Sequence, residues 1–245
     1  MQAGKQNEID IMTAVSGQKY EDIDSKWKSH LKKMFPDIES GDVVHTYFYH
    51  DTHAKPDIVI TVKNKSIKLS IKSGKNPSCH LENFSDFMSC LIKNGVPNRI
   101  IRILSFYQFG RSEKLSNDGK SFSREELQTS FKQYVKEACD YFLDHKQIVG
   151  KIIYRTIIRG IRKNVDPIDY FYYGSVKRGF LLSREEIYKE IIEDPFVESR
   201  AIHFYGLVFQ PCGRKETRED RLFVRIKWPV LSVRFYDDDF INKYS

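Results

Sequence analysis

Cysteine is scarce in this sequence, and what there is makes no metal pattern. Cys79, Cys90, Cys139 and Cys212 are the only four, and their spacings match no zinc ribbon or finger. Reduced, mostly buried thiols are the expectation. His80 follows Cys79, but adjacency in sequence alone does not make a catalytic pair. Long apolar runs are also missing: none reaches the ~18 residues that a membrane-spanning helix needs. Met1 to Asp10 is polar and lacks the apolar core of a signal peptide, so a cytoplasmic location is expected. There is no internal repeat, no low-complexity tract and no clear linker. One domain of 245 residues is therefore expected, long enough to bury roughly three quarters of its unfolded surface without staples.

What is present is charge and apolar pattern. Hydrophobic residues make up 40% and charged residues 30% of the chain, which fits a globular protein rather than a disordered one. The net charge of +7 and pI near 9.0 favour a polyanionic partner, weakly. Helical spacing places helices over Asn7 to Val15 and Ile23 to Met34, the second stopped by Pro36. Val43 to Tyr49, Asp57 to Val62 and Ser66 to Lys72 read as strands. His80 to Lys93 reads as a helix closed by Asn94 and Gly95, and Arg99 to Tyr107 as a strand with a helix as competitor. Ser123 starts a helix that continues to about Lys146, and Lys151 to Arg162 is a basic-faced amphipathic helix or a strand. Tyr170 to Tyr173 and Gly179 to Leu182 form a hairpin. A capping box at Ser183 and Glu186 opens a short helix, and Ala201 to Gln210 and Arg221 to Trp228 are strands. The fold class is α+β: a catalytic core over 1–110, then a helical and β-rich elaboration over 111–245.

The informative stretch is Lys55 to Phe87. With Asn64 and Lys65 as the turn, Val62 faces Ile67, Ile60 faces Leu69 and Ile58 faces Ile71 on one apolar face. On the other face Thr61 meets Lys68, Val59 meets Ser70 and Asp57 meets Lys72. A slip by one residue would mix the faces. Such an Asp–Lys pair can simply fix register, contributing roughly 0.2–1 kcal/mol. It can also do chemistry: a carboxylate oxygen binds a hard cation such as Mg²⁺, and an adjacent ammonium can orient water beside a phosphate.

Pro56-Asp57 followed by Ser70-Ile71-Lys72 resembles the PD-(D/E)xK nuclease superfamily, which includes many restriction endonucleases. The resemblance covers about residues 1 to 95. It implies a mixed sheet flanked by helices, in a restriction-endonuclease-like α/β/α core. It also implies a type II restriction enzyme that hydrolyses phosphodiesters of double-stranded DNA with Mg²⁺, or Mn²⁺ in its place. Asp57, Ser70 and Lys72 fall on the catalytic positions. The acid expected two residues before the lysine is Ser70 here. Some restriction enzymes with Ser-x-Lys supply that acid from the next helix, where this chain has Glu82 and Asp86, with Glu82 preferred as catalytic and metal-binding. Glu8, on the first helix, is the other metal candidate, unless it only complements the helix dipole. His80 would cap its helix or touch a phosphate.

For DNA contact the candidates are Lys75, then Lys151, Arg155, Arg159 and Arg162, then Lys177 and Arg178, then Arg214 and Lys215 with Arg218. Each set could grip phosphates or read guanine edges, or be an ordinary solvated face. The aromatic run Tyr170 to Tyr173 reads as core. A homodimer would suit a palindromic target. Three other readings stay open: a repair or defence nuclease without sequence specificity, a non-catalytic DNA-binding module in which Ser70 marks the lost acid, and a basic α+β protein that binds a protein partner.

Overall fold

The computed structural model describes residues 3–51, 54–74, 78–110, 122–162, 164–193, 201–211 and 222–244. They gather into two compact units that interleave along the chain. One comprises 1–77, 154–189 and 230–245; the other comprises 78–153 and 190–229. The expected core over 1–110 contributes to both.

The first unit is built on a five-stranded sheet in the order β1-β2-β3-β5-β6. Its strands are β1 (Val44–Phe48), β2 (Ile58–Val62), β3 (Lys65–Lys72), β5 (Tyr170–Ser175) and β6 (Arg178–Ser183). All neighbours are antiparallel except β3 and β5, which run parallel. The sheet is therefore mixed, as expected. Helices α1 (Ala3–Val15) and α2 (Ser25–Met34) contribute to one core with it. Asp24 caps α2 by accepting from the Lys26 N–H. Ile11, Val15, Trp27 and Leu31 are packed with Ile58, Ile60, Leu69, Ile71 and Tyr172 in a single buried cluster. Truncating any of the Ile or Leu residues among these to Ala would cost about 2–5 kcal/mol. The alternation seen in the sequence is thus the core face of the sheet. Helices α9 (Val230–Arg234) and α10 (Asp238–Lys243) complete the unit.

Both edges of this sheet are partly closed. Along β1, Val44 exchanges backbone hydrogen bonds with Gly17 and Gln18, and Ser16 Oγ accepts from Thr46 N–H. Along β6, Leu181 N–H donates to the carbonyl of Tyr244.

His30 is an anomaly in this core. Its ring is fully buried, edge-on to Trp27 at 5.4 Å and to Tyr172 at 5.5 Å. Neither ring nitrogen has a hydrogen-bond partner. Burial, helped by the charges of Lys26 and Lys33, pushes its pKa down to about 3.

The second unit carries a four-stranded antiparallel sheet in the order β4-β9-β8-β7. Its strands are β4 (Ser78–Asn83), β7 (Ile202–Phe204), β8 (Leu207–Pro211) and β9 (Phe223–Lys227). With it go α3 (Phe84–Lys93), α4 (Asn98–Phe109), α5 (Arg124–Thr129), α6 (Lys132–Asp144) and α7 (Lys146–Ile153). Phe84, Phe87, Tyr107 and Phe142 interlock with Phe204 and Phe209 at centroid separations of 4.5–6.5 Å. A π-helical turn, Tyr154–Arg159, follows α7, and α8 (Arg184–Glu193) follows β6. The expected box at the start of α8 is formed: Ser183 N–H donates to Glu186, and Glu186 N–H to Ser183 Oγ.

Four expectations change, the first being that the single helix expected from Ser123 to about Lys146 is broken at Ser130-Phe131 into α5 and α6. The helix expected over His80 to Lys93 is a strand, β4, followed by a helix that begins at Phe84 with Asn83 as its cap. Arg99 to Tyr107 is helical within α4, because Ile100, Ile103, Leu104 and Tyr107 form a buried stripe at helical spacing. The run Ala201 to Gln210 is two strands, turning at Tyr205-Gly206. Among the described residues no helix is long and apolar enough to cross a membrane.

Candidate active site

The β2–β3 hairpin turns at Lys63-Asn64, with Lys63 in the left-handed region at φ 52°. The expected turn, Asn64-Lys65, is one position later, so the observed register is displaced by two. Ile58 faces Leu69, Ile60 faces Ile67 and Val62 faces Lys65. A displacement of two keeps every side chain on its face. The apolar face and the polar face are therefore as expected, but Asp57 is not opposite Lys72.

Beyond the last pair, Asp57 N–H donates to Leu69 O at 2.9 Å. Pro56, just before it, has no N–H to continue the ladder. The Asp57 side chain takes over. Its Oδ2 accepts from Ser70 Oγ at 3.0 Å, Ile71 N–H at 2.6 Å and Lys72 Nζ at 3.0 Å. Lys72 also donates to Ile71 O at 3.0 Å, so its ammonium is bent back along the strand toward Asp57. Asp57 Oδ1 accepts no hydrogen bond among the described residues. The side chains of Asp57 and Lys72 are 20% and 29% exposed, so the group is reachable from water. One carboxylate oxygen is thus fixed by three donors and the other is left open.

The parallel strand β5 adds two aromatics that sequence reasoning assigned only to the core. Phe171 pairs with Ser70 and Tyr173 with Lys72. The Tyr173 hydroxyl donates to the carbonyl of Gly74, 99 positions away in sequence, and ties down the loop that leaves Lys72. No local signal could have found this, because the pairing is between strands far apart in the chain. Tyr173→Phe removes that tie and leaves the ring in place. Such a variant should keep the wild-type melting temperature within a few degrees while losing most of any cleavage activity. Unchanged activity would show that the loop needs no anchor.

Helix α1 reaches the same end of the sheet by two contacts. Asn7 Nδ2 donates to Gly174 O, next to Tyr173, at 2.8 Å. Lys5 Nζ sits 3.4 Å from the centroid of Phe48, which pairs with Ile58 beside Asp57. Glu8 directly follows Asn7, is 15% exposed, and pairs with Lys5 at 3.2 Å. Among the described residues no group of three or more His, Cys, Asp or Glu is arranged to hold a metal ion.

Glu82 is placed otherwise than expected. It projects from β4 in the second unit, not from a helix, and shares no helical face with Asp86, which is exposed in the first turn of α3. Its carboxylate is buried and lies 3.2 Å from His80 Nε2. His80 is thus a strand residue paired with Glu82 rather than a cap.

The basic candidates scatter. Lys151 is exposed on α7, and Lys177 is exposed in the β5–β6 turn. Arg155 and Arg159 are half-buried in the π-helical turn and already engaged. Arg162 pairs with Asp51 at 2.8 Å. Arg178 pairs with Asp238 at 2.6 Å and donates to Phe235 O, which commits it to the fold. Lys75, Arg214 and Lys215, with Arg218, lie outside the described residues.

No protein-family model matches the sequence, and no curated protein does. Among solved structures, the crystal structure of restriction endonuclease MspI in complex with its cognate DNA is similar, with a TM-score of 0.52 at 12% identity. The match covers 82% of this chain and 76% of that one. The fold is restriction-endonuclease-like. A mixed sheet with helices and a β-rich C-terminal part is the architecture that the sequence led us to expect; the separate four-stranded antiparallel sheet, which takes in β4, is an addition to it.

Proposed function

We propose that the chain is a Mg²⁺-dependent endonuclease acting on double-stranded DNA, and a sequence-specific one of the type II restriction kind. The observation that carries this reading is the Asp57 carboxylate, pinned through Oδ2 by Ser70, Ile71 and Lys72 and open at Oδ1. The fold supports it, since the similar structure is a restriction endonuclease bound to its DNA.

The residues fit a small hard cation. Mg²⁺ is held by one or two carboxylates and keeps several waters. Asp57 Oδ1 offers one oxygen, and Glu8, on the helix that reaches the same end of the sheet, is the second carboxylate we assign. When bound, the ion neutralises charge building on the scissile phosphate. Mn²⁺ would serve in its place. Lys72 places an ammonium beside Asp57, where it holds the attacking water and a non-bridging phosphate oxygen. Ser70 and the Ile71 N–H keep Asp57 oriented. In-line attack by water on phosphorus breaks the bond to the 3′ oxygen, leaving a 5′-phosphate and a 3′-hydroxyl. The Glu82 assignment is carried by the resemblance alone, and its burial against His80 makes Glu82→Ala a test of stability as well as of activity.

The first test incubates purified protein with unmethylated plasmid and phage DNA, in Mg²⁺ and in EDTA. Discrete fragments in Mg²⁺ alone are expected. A smear would keep the nuclease and remove the restriction reading. Ser70 in the acid's position favours one competitor, a DNA-binding module without catalysis. DNA binding with no cleavage in Mg²⁺ or Mn²⁺ would establish it.

A further inference from the structure

The two faces of the four-stranded sheet are chemically unlike. One carries Ile202, Phe204, Phe209, Val224 and Ile226, all fully buried. By strand alternation, the other carries Leu81 and Asn83 from β4, Phe223, Arg225 and Lys227 from β9, and Gln210 from β8. Among the described residues nothing closes over this second face at its β4–β9 end: Leu81 is 51% and Phe223 40% exposed. None of its side chains on the four strands is Asp or Glu.

Arg225 sits at its centre, on β9 between Gln210 of β8 and Leu81 of β4. It is half-buried, and it has no ion pair or side-chain hydrogen bond among the described residues. This is unusual for a guanidinium with five donors; Arg99, Arg162, Arg178, Arg184 and Arg234 each have a carboxylate partner. Beside it, the side-chain oxygen of Gln210 is buried with no donor. Polar groups left unmatched on a sheet face with apolar neighbours are groups awaiting a partner. With basic side chains and no acid among them, the partner that fits is a polyanion.

We propose that this face is a DNA contact centred on Arg225, gripping the phosphate backbone rather than reading bases. The proposal rests on the reading of the chain as a DNA enzyme. Size decides between the two modes. Four strands ~4.8 Å apart span about 14 Å before side chains are added, wider than the ~12 Å major groove. The sheet can lie on the duplex but not enter it, so the guanidinium meets phosphates.

The test measures binding of the full chain to several ~30-bp duplexes of unrelated sequence, in EDTA, over a salt series. Wild type, Arg225→Ala and Arg225→Lys are compared, with melting temperatures as a check on folding. Arg225→Ala should weaken binding about tenfold on every duplex. It should also flatten the slope of log affinity against log salt by about 0.9, the value for one phosphate. Arg225→Lys should recover most of both. Unchanged affinity and slope in Arg225→Ala, with DNA still bound, would overturn this inference and leave the nuclease reading standing. A loss confined to one sequence would overturn it too, in favour of base reading. Failure of the wild type to bind any duplex would remove both readings.

Discussion

Asp57→Asn and Lys72→Ala proteins are expected to fold as the wild type does and to leave plasmid DNA uncut in Mg²⁺. The choice of Asn matters. Asp57→Ala would strip the acceptor from the Ile71 N–H and Ser70 hydroxyl, and a partly buried donor left unpaired costs about 1–3 kcal/mol. Lost activity could then be lost structure. Asn keeps a carbonyl oxygen for those donors and removes the charge that would face the cation. Losing a charged oxygen that supplies several kcal/mol at the transition state lowers the rate by about 10³-fold or more. Lys72 is partly exposed, and pairs of that kind contribute ~0–1 kcal/mol to stability, so Lys72→Ala should melt within a few degrees of wild type. Circular dichroism, urea midpoints and plasmid cleavage check both. Fragments from either variant at the wild-type rate would remove this site from the reaction.

The second large effect belongs to His30. Its imidazole is neutral in the folded state, with a pKa of about 3, against ~6.5 in the unfolded chain. The unfolded state therefore binds a proton that the folded state refuses. Stability from this residue is full above pH ~6.5 and falls as the pH drops toward 3. At pH 4.5 the loss is about 2–3 kcal/mol. His30→Phe removes the titrating group and the two unpartnered nitrogens while keeping a ring between Trp27 and Tyr172. Urea unfolding at pH 7 and pH 4.5 should show the variant gaining on the wild type by that amount as the pH falls. Parallel losses in the two proteins would mean that some other group controls acid unfolding.

The hairpin shows what the sequence could reveal and where it stopped. Alternation of Ile58, Ile60 and Val62 against Ile67, Leu69 and Ile71 identified the core face, because a period of two survives any even shift. It could not fix the turn, since the left-handed position falls to Lys63 rather than to an Asn or Gly. Asp57 and Lys72 share a face for that reason, yet they meet through the length of the lysine rather than by direct pairing. Strand β4 was hidden by its inward residues: His80 and Glu82 point into a core, where an apolar alternation would have been read. Leu81, which falls at helical spacing from Phe84, is the exposed one. In α4 the helical stripe was present in the sequence, but β-branched residues masked it until packing selected the helix. The roles of Phe171 and Tyr173 depend on a parallel pairing across half the chain, which no local pattern encodes.

The bond between Leu181 N–H and the Tyr244 carbonyl has a consequence for how the protein behaves in concentrated solution. The final helix stands where a further strand could otherwise add, and Gly17 with Gln18 does the same along β1. A chain cut before Tyr244 would lose a buried ring packed on Phe240, and it would also bare a backbone donor on β6 beside apolar side chains. Such an edge is a template for a strand from another molecule, so Tyr244 guards β6 against self-association as well as filling the core.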